Sequence, residues 1–297
     1  MAIPCIIDTD PGVDDALAIL FAIASPELYI HAITVVGGNV PLAQCVHNAT
    51  GIVALAGASI PVAVGLQAPH PGASHVHGED GLGGAASLLP QGWRPVTASG
   101  VDLLLDCERG NTVIALGPLT NLAAACRKDP HRFRRLARIV CMGGAFRTHG
   151  NVTASAEFNM HADPDAVNAV LSSGVPMTFV GLDVTTRVRL QNSDLHPGAS
   201  MFVQQTCERM LAYYRERGQS GFPLHDPLAV AVAAQPDLVQ TKWLHVEVET
   251  AGRITRGATV ADFRAGTEHP PNAEVALDAD APRSLKLFRE RVLGAGT

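Results

Sequence analysis

An apolar run at the start of the chain leads directly into a dense group of acidic side chains. Residues 3–7 are apolar, which is typical of a buried strand, and a helical pattern begins at Val13. Four carboxylates fall within eight residues, and they belong to Asp8, Asp10, Asp14 and Asp15. Such a group is costly unless a cation offsets its charge. The sequence therefore predicts a strand followed by a helix, with an oxygen-rich calcium or magnesium site at the carboxyl end of the strand.

Apolar, β-branched runs alternate with helical patterns along the rest of the chain. The predicted strands span residues 4–10, 29–36, 61–64, 112–116, 138–142 and 177–182, and residues 244–249 and 255–260 form a predicted hairpin. The predicted helices span residues 13–24, 42–56, 101–108, 164–172, 200–217 and 281–293, and Asn121 and His225 mark two further helix starts. This alternation predicts an α/β fold, a single domain over residues 1–297 with a mostly parallel open sheet flanked by helices.

The composition and net charge of the chain argue against several classes of function. A net charge of −6 argues against nucleic acid as a partner. The absence of an apolar stretch of about 18 residues argues against a membrane span. The six cysteines are scattered without a CxxC spacing, which indicates reduced thiols in a cytoplasmic protein.

Polar segments recur directly after the predicted strands. Besides residues 10–15, they are Asn39, residues 116–121, residues 143–159 and Asp183. In a parallel sheet the carboxyl ends of all strands share one edge, and ligands bind there. We therefore expect these segments to converge on one site.

Each of these features has a simpler interpretation when it is taken alone. Acidic residues at a helix start favour the helix dipole, but that role accounts for only one or two of the four N-terminal carboxylates. His225-Asp226-Pro227 is typical of a helix N-terminus, and Glu157 belongs to a solvated loop. His75, His77 and Glu79 lie in a Gly-rich loop whose spacing does not support a zinc site. An EF-hand loop is excluded because its ligand spacing is missing.

Taken together, the segments closely resemble the inosine–uridine nucleoside hydrolases. The opening motif, residues 8–16, is the most specific, and eight further segments match in order between residue 37 and the 220s. They are Gly37–Asn39, His77–Leu82, Leu116–Asn121, Met142–Ala145, Gly150–Thr153, Ala156–Asn159, Ala162–Pro164 and His225–Pro227. The last 60 residues add little to the resemblance.

The resemblance implies hydrolysis of the N-glycosidic bond of ribonucleosides to ribose and free base, with one calcium ion per subunit. The calcium ligands that it implies are the carboxylates of Asp10, Asp15 and Asp226 and the backbone carbonyl of Leu116. Calcium accepts carboxylate, carbonyl and sugar hydroxyl oxygens, which suits this set. The resemblance further implies a metal-activated water, with Asp10 as its general base.

The same resemblance implies the substrate contacts. The implied ribose-binding residues, which would also stabilise an oxocarbenium-like transition state, are Asp14, Asn39, Asn151, Glu157 and Asn159. The implied base-side residues are His77, Met142, Phe158 and Tyr213, with Tyr214 as the alternative tyrosine. His225 is the expected acid for the leaving base, since an imidazole titrates near neutral pH.

The resemblance also implies a homo-oligomer, a dimer or tetramer, that acts in nucleoside salvage in the cytoplasm. The preferred base among inosine, uridine, cytidine and adenosine stays open. One alternative is a magnesium-dependent phosphatase of the haloacid dehalogenase type, which also begins with an Asp-x-Asp motif such as residues 8–10. That motif expects Thr or Val where Gly12 stands. The other alternative is a non-catalytic nucleoside- or sugar-binding protein.

Overall fold

Residues 2–106, 109–266 and 268–294 are described by a computed structural model of the chain. The strands are β1 (Ile3–Thr9), β2 (Leu28–Gly37), β3 (Val62–Gln67), β4 (Thr112–Ala115), β5 (Arg138–Met142), β6 (Met177–Val180), β7 (Arg189–Leu190), β8 (Phe222–Pro223), β9 (Val239–Leu244), β10 (Val246–Val248), β11 (Thr259–Ala261) and β12 (Ala273–Ala279). The helices are α1 (Val13–Ile23), α2 (Leu42–Leu55), α3 (Ser74–His77), α4 (Gly100–Asp106), α5 (Thr120–Lys128), α6 (Pro130–Phe133), α7 (Phe158–Ala162), α8 (Pro164–Leu171), α9 (Leu182–Thr185), α10 (Met201–Glu216), α11 (His225–Ala234) and α12 (Ala281–Val292).

Eight of these strands form one sheet in the order β3-β2-β1-β4-β5-β6-β12-β9. Neighbouring strands are parallel from β3 to β12, and β9 at the far edge is antiparallel to β12. The chain first builds outward from β1 through β2 to β3 and then restarts on the other side with β4. The order therefore reverses between β1 and β4, which is where ligands bind in open α/β sheets. The predicted α/β fold with a mostly parallel, helix-flanked sheet is confirmed.

Helices cover both faces of the sheet because its strands are apolar on both sides. In β1, Cys5 and Ile7 pack on the face covered by α1, α2, α10, α11 and α12, whereas Ile6 packs on the face covered by α4, α5, α6 and α8. Ile6 and Ile7 each contribute about 1.5–3 kcal/mol through full burial. Both cores hold β1 in place and so fix the position of the acidic segment that follows it.

Side-chain caps visible in the sequence begin several of the helices. The carboxylate of Asp163 accepts a hydrogen bond from the Ala166 amide at the start of α8, and Pro164 occupies the first turn. Asp280 caps α12 in the same way, with Pro282 in its first turn. These caps explain why the predicted and observed starts of the two helices agree.

The structure differs from the sequence prediction at several places. Asn121 does not cap α5, because it lies inside the helix and its side chain bonds to Asp8 and to the Leu66 amide. The observed hairpin is shorter than the predicted one: β10 pairs with β11, and Leu244 belongs to β9 instead. Strands β9 and β12 were not predicted. The last two residues of the predicted helix 101–108 lie outside the described residues.

Five cysteines are free thiols, namely Cys5, Cys45, Cys126, Cys141 and Cys207, and Cys107 lies outside the described residues. None of the helices in the described ranges has the length and apolar character of a membrane span.

Candidate metal centre and active site

Two helix N-termini bring three carboxylates together at the point where the strand order reverses. Asp14 and Asp15 lie in the first turn of α1, Asp226 lies in the first turn of α11, and these two helices pack against each other. One carboxylate oxygen from each of the three residues lies within 4.8 Å of the others. The helix dipoles favour negative charge at these positions, but three anions this close still call for a cation.

Asp15 is held in one orientation by donors from two loops. Its Oδ1 accepts a hydrogen bond from the Thr9 hydroxyl at 2.5 Å, and its Oδ2 accepts from the Gly12 amide at 3.0 Å and from Asn39 Nδ2 at 3.1 Å. Asn39 follows β2, as predicted, and so links the second strand to the acidic group. The side chain of Asn39 therefore orients a carboxylate rather than standing free in the pocket.

Asp10 is fully buried, and one of its carboxylate oxygens has no partner. Oδ2 accepts from the Asn39 backbone amide at 2.7 Å, whereas Oδ1 has no hydrogen-bond partner within the described residues. Glycines make room for this side chain: a Cβ at Gly38 would overlap Oδ2, and one at Gly117 would lie 2.5 Å from Oδ1. A buried oxygen without a partner is costly, so this atom fits a cation or water ligand.

Burial and mutual repulsion both act against charge in this group. Burial, followed by the neighbouring carboxylates, raises the pKa of Asp10, Asp15 and Asp226 above the usual carboxyl range. Burial also raises the pKa of Asp14 to about 6. A bound divalent cation would reverse the balance by favouring the ionised forms. The residues present therefore fit a metal ion.

The Leu116 carbonyl lies at the end of β4, beside the acidic segment after β1. It accepts a hydrogen bond from Asn159 Nδ2 at 2.6 Å, and the same amide nitrogen donates to the Met142 carbonyl at 3.1 Å. A carbonyl oxygen has two lone pairs, so Leu116 keeps one for a cation. Asn159 thus ties the ends of β4 and β5 together.

Glu157 is buried behind Asn159 and caps α7. Its carboxylate accepts backbone hydrogen bonds from Asn159 at 3.0 Å and from Gly144 and Met160, both at 3.2 Å. Burial raises the pKa of Glu157 to about 7 even though these donors oppose the shift. The carboxylate therefore lies at a fixed position close to the strand ends.

Asn151 and Phe158 lie nearer the surface than the other predicted substrate residues. Asn151 is exposed, and its Oδ1 accepts from the Phe158 amide at 2.9 Å, while Phe158 is half-buried. The bond joins the polar loop before α7 to the helix start. Both side chains are therefore accessible to solvent.

Each of the two predicted histidines has a hydrogen-bond partner at Nδ1. His77 Nδ1 accepts from the Val13 amide at 3.1 Å and lies 3.9 Å from Asp14 Oδ1, and burial lowers the pKa of His77 to about 4. His225 Nδ1 lies 2.7 Å from the hydroxyl of Thr185. Burial, then the charge of Arg189, lowers the pKa of His225 to about 3. The role of His225 as the acid for the leaving base stays a prediction.

The two candidate tyrosines of α10 differ in their surroundings. The Arg217 guanidinium covers the Tyr213 ring at 3.5 Å from its centroid. Tyr214 packs against the core, and burial together with the nearby Asp14 carboxylate raises the pKa of its phenol. Of the two, Tyr214 is therefore the one that lies toward the acidic group.

Two hydroxyl residues of the site were missed at the sequence level. Thr9 was visible between two aspartates, and its hydroxyl orients Asp15. Thr185 carried no signal, since its contact with His225 spans 40 residues and depends on the packing of α9 against α11.

Comparison with known proteins places this geometry in a family. Residues 5–286 match the family model described as inosine-uridine preferring nucleoside hydrolase. The chain belongs to the inosine-uridine preferring nucleoside hydrolase family.

The relatives of this nucleoside hydrolase align with nearly its whole length. The pyrimidine-specific ribonucleoside hydrolase RihA of Citrobacter koseri is 39% identical over 98% of both chains. Among solved structures, a plant nucleoside hydrolase, PpNRh1, superposes with a TM-score of 0.93 at 32% identity over 99% of both chains. A purine-preferring ribonucleoside hydrolase from Gardnerella vaginalis superposes with a TM-score of 0.90 at 35% identity over 98% of both chains.

This nucleoside hydrolase is therefore an N-glycosidase that acts on small-molecule nucleosides, in a family of metal-dependent enzymes. Its acidic group, Asp14, Asp15 and Asp226, has the donor chemistry that such an enzyme needs. The family assignment replaces the phosphatase and non-catalytic alternatives.

Proposed function

We propose that the enzyme hydrolyses ribonucleosides with the help of one calcium ion per subunit, held by Asp10, Asp15, Asp226 and the Leu116 carbonyl. The observation that carries this proposal is the buried Oδ1 of Asp10, which has no hydrogen-bond partner among the described residues and lies next to a group of closely spaced carboxylates. Calcium takes 6–8 oxygen ligands of mixed type, whereas magnesium demands a tight octahedron and keeps several waters. Four protein ligands leave room for a water and for the ribose hydroxyls.

The proposed reaction joins a water oxygen to C1′ of the ribose as the C1′–N bond breaks. When bound, the calcium ion supplies positive charge that favours deprotonation of the water and orients the ribose. Asp10 accepts the proton of the water as general base. The base leaves with the electron pair of the broken bond beside His225, its proposed acid. The proton that the base takes up balances the one that Asp10 took from the water, so that ribose and free base are the products.

The ribose ring carries positive charge as the bond breaks, and buried oxygen atoms around it favour that charge. We assign this role to Glu157 and Asn159, which lie at the ends of β4 and β5. Asp14, Asn39 and Asn151 are the proposed partners of the ribose hydroxyls. A missing hydroxyl would leave a buried partner such as Asp14 or Asn39 unpaired, which costs about 1–3 kcal/mol per group. We therefore expect ribonucleosides to be strongly preferred over deoxyribonucleosides.

The base side is formed, in this proposal, by His77, Met142, Phe158 and one tyrosine of α10. Pyrimidine ribonucleosides are the proposed substrate class, because the C. koseri relative that is 39% identical over 98% of the chain is named as pyrimidine-specific. A purine preference is the second candidate, since the G. vaginalis enzyme is purine-preferring at 35% identity.

Base release from uridine, cytidine, inosine, adenosine and guanosine, with and without a calcium chelator, tests this proposal. We expect release that is fastest with uridine or cytidine, is lost on chelation and returns with added calcium. The matched deoxynucleosides serve as controls for the ribose contacts. Purines in first place would overturn the substrate class, and activity in excess chelator would overturn the metal dependence.

We further propose that the enzyme is a homodimer or homotetramer that serves nucleoside salvage in the cytoplasm. Light scattering of the purified protein coupled to size-exclusion chromatography measures the assembly. A mass equal to that of one 31.1 kDa chain would contradict the proposed oligomer.

A further inference from the structure

Thr185 is a fully buried hydroxyl residue at the end of α9, next to His225. Its Oγ1 lies 2.7 Å from Nδ1 of His225, and the side chain has no other hydrogen bond in the described ranges. His225 opens α11 immediately before Asp226. The two side chains come from different segments of the chain, so the contact depends on the folded core.

The direction of this hydrogen bond can be deduced. A buried hydroxyl hydrogen needs an acceptor, and leaving it unpaired costs more than leaving an oxygen lone pair unfilled. Nδ1 of His225 is the acceptor that the surroundings provide. Thr185 therefore donates, and a neutral imidazole whose Nδ1 accepts must carry its proton on Nε2.

The opposite ring nitrogen is available for a ligand. Nε2 of His225 has no hydrogen bond within the described residues, and it is not among the atoms sealed from solvent without a partner. Because Nδ1 accepts the hydrogen bond from Thr185, the ring carries its one proton on Nε2, and the position of that proton decides what the imidazole can do.

We propose that Thr185 is a positioning residue that fixes His225 as the Nε2–H tautomer, so that the neutral imidazole donates a hydrogen bond to the departing base. The inference rests on the proposed nucleoside hydrolysis. The hydrogen bond stabilises the negative charge that develops on the base as it takes the electron pair of the C1′–N bond. A bare Nε2 would instead face that charge with a lone pair.

The matched variants are Thr185→Val, which keeps the shape and removes the hydroxyl, and Thr185→Ser, which keeps the hydroxyl. Turnover is measured with uridine and with p-nitrophenyl riboside, whose leaving group needs no hydrogen bond. We expect Thr185→Val to lower kcat for uridine by about 10- to 100-fold, with KM nearly unchanged. The rate with p-nitrophenyl riboside changes by less than about 3-fold, and Thr185→Ser retains most activity. Equal losses with both substrates would indicate a merely structural role and overturn the proposal.

Nitrogen NMR of the histidine-labelled wild-type protein tests the tautomer without any turnover. His225→Ala assigns the signal, and we expect a proton on Nε2 of His225 at neutral pH. A proton on Nδ1 overturns the proposal even if nucleosides are hydrolysed. Failure of the wild-type enzyme to hydrolyse any nucleoside would refute the proposed function instead, and the NMR result would then stand by itself.

Discussion

Asp10 is the residue whose chemistry can be removed with the smallest change of shape. Asp10→Asn replaces one carboxylate oxygen by an NH2 group, and the oxygen that is left is too weakly basic to take a proton from water. That oxygen can still accept the hydrogen bond from the Asn39 amide. We expect kcat to fall by about 10²- to 10⁴-fold with saturating calcium, while the affinity for nucleoside changes little. Single-turnover base release and equilibrium binding of the same nucleoside measure the two effects separately.

Asp8 provides the matched control, because it is equally buried but its Oδ1 bonds to Thr34 and Asn121 instead of facing the site. Asp8→Asn should keep kcat within a few fold. A residual kcat in Asp10→Asn that is more than a tenth of wild type would contradict the role of general base.

The buried carboxyl group of Asp8 leads to a further prediction, on how the stability of the protein varies with pH. Burial raises the pKa of Asp8 to about 7, and Oδ2 has no hydrogen-bond partner in the described ranges. Because the folded-state pKa lies above the unfolded one, the stability that the protonated form contributes is present at low pH and is lost as the pH rises through about 7. Asp8→Asn lacks this titration, so the variant should gain stability relative to wild type between pH 5 and pH 9. Denaturant unfolding at both pH values measures the difference, and a constant difference would contradict the buried charge.

Among the elements, those that form the site could be predicted because they depend on local signals. An apolar strand followed by Pro11-Gly12 and a helix places Asp10 and Asp15 at a strand end whatever the rest of the chain does. The alternation of such units implies a parallel sheet and hence a shared edge. Strand β9 gave no such signal, because four of its six residues are exposed at the sheet edge.

Contacts between distant segments could not be predicted. Asn121 has the composition of a helix cap, yet its amide bonds to Asp8, 113 residues away, and to Leu66, 55 residues away. The choice between Tyr213 and Tyr214 depends on which ring α10 turns toward Asp14. The pairing of Thr185 with His225 likewise exists only once α9 and α11 are packed.

Arg189 of β7 anchors the segment between α10 and β8 through its side chain. Arg189 donates to the carbonyls of Ser220 and Gly221 and to the Gln219 side chain. Gly218 and Gly221 take positive φ values of 73° and 64°, which other residues rarely adopt. Arg189→Met removes the donors beside the tyrosines of α10, one of which is the proposed contact with the base. We therefore expect faster proteolytic cleavage within residues 217–221 and a KM raised roughly 10-fold, with kcat affected less.

Arg187 is the matched control for this change, since it is two residues away and forms an exposed ion pair with Asp278. An exposed pair contributes little, so Arg187→Met should leave both KM and the cleavage pattern unchanged. If the two variants behave alike, the segment does not depend on Arg189.

For the molecule as a whole, the strand order affects the stability of the folded state. The reversal between β1 and β4 creates the opening in which Asp10, Asp15 and Asp226 meet, and the two cores hold these residues together even though burial raises the pKa of each. Without a cation, the folded state is therefore penalised whenever these groups ionise. A cation that binds only the folded state removes the penalty, so its binding energy becomes folding energy.

Thermal unfolding at pH 5 and pH 8, with chelator or with excess calcium, tests this coupling. The folded-state pKa values of the acidic group lie above their unfolded values, so the metal-free enzyme should be more stable at pH 5 than at pH 8 as far as these groups are concerned. Calcium at a hundredfold excess over its Kd adds about 2.7 kcal/mol, or roughly 5 °C in Tm, at pH 8. The gain shrinks at pH 5 because protons compete for the same oxygens. Asp226→Asn, which removes one carboxylate, should make the chelated enzyme less sensitive to pH and reduce the gain from calcium. A calcium gain that is equal at both pH values would mean that the ion binds away from these carboxylates.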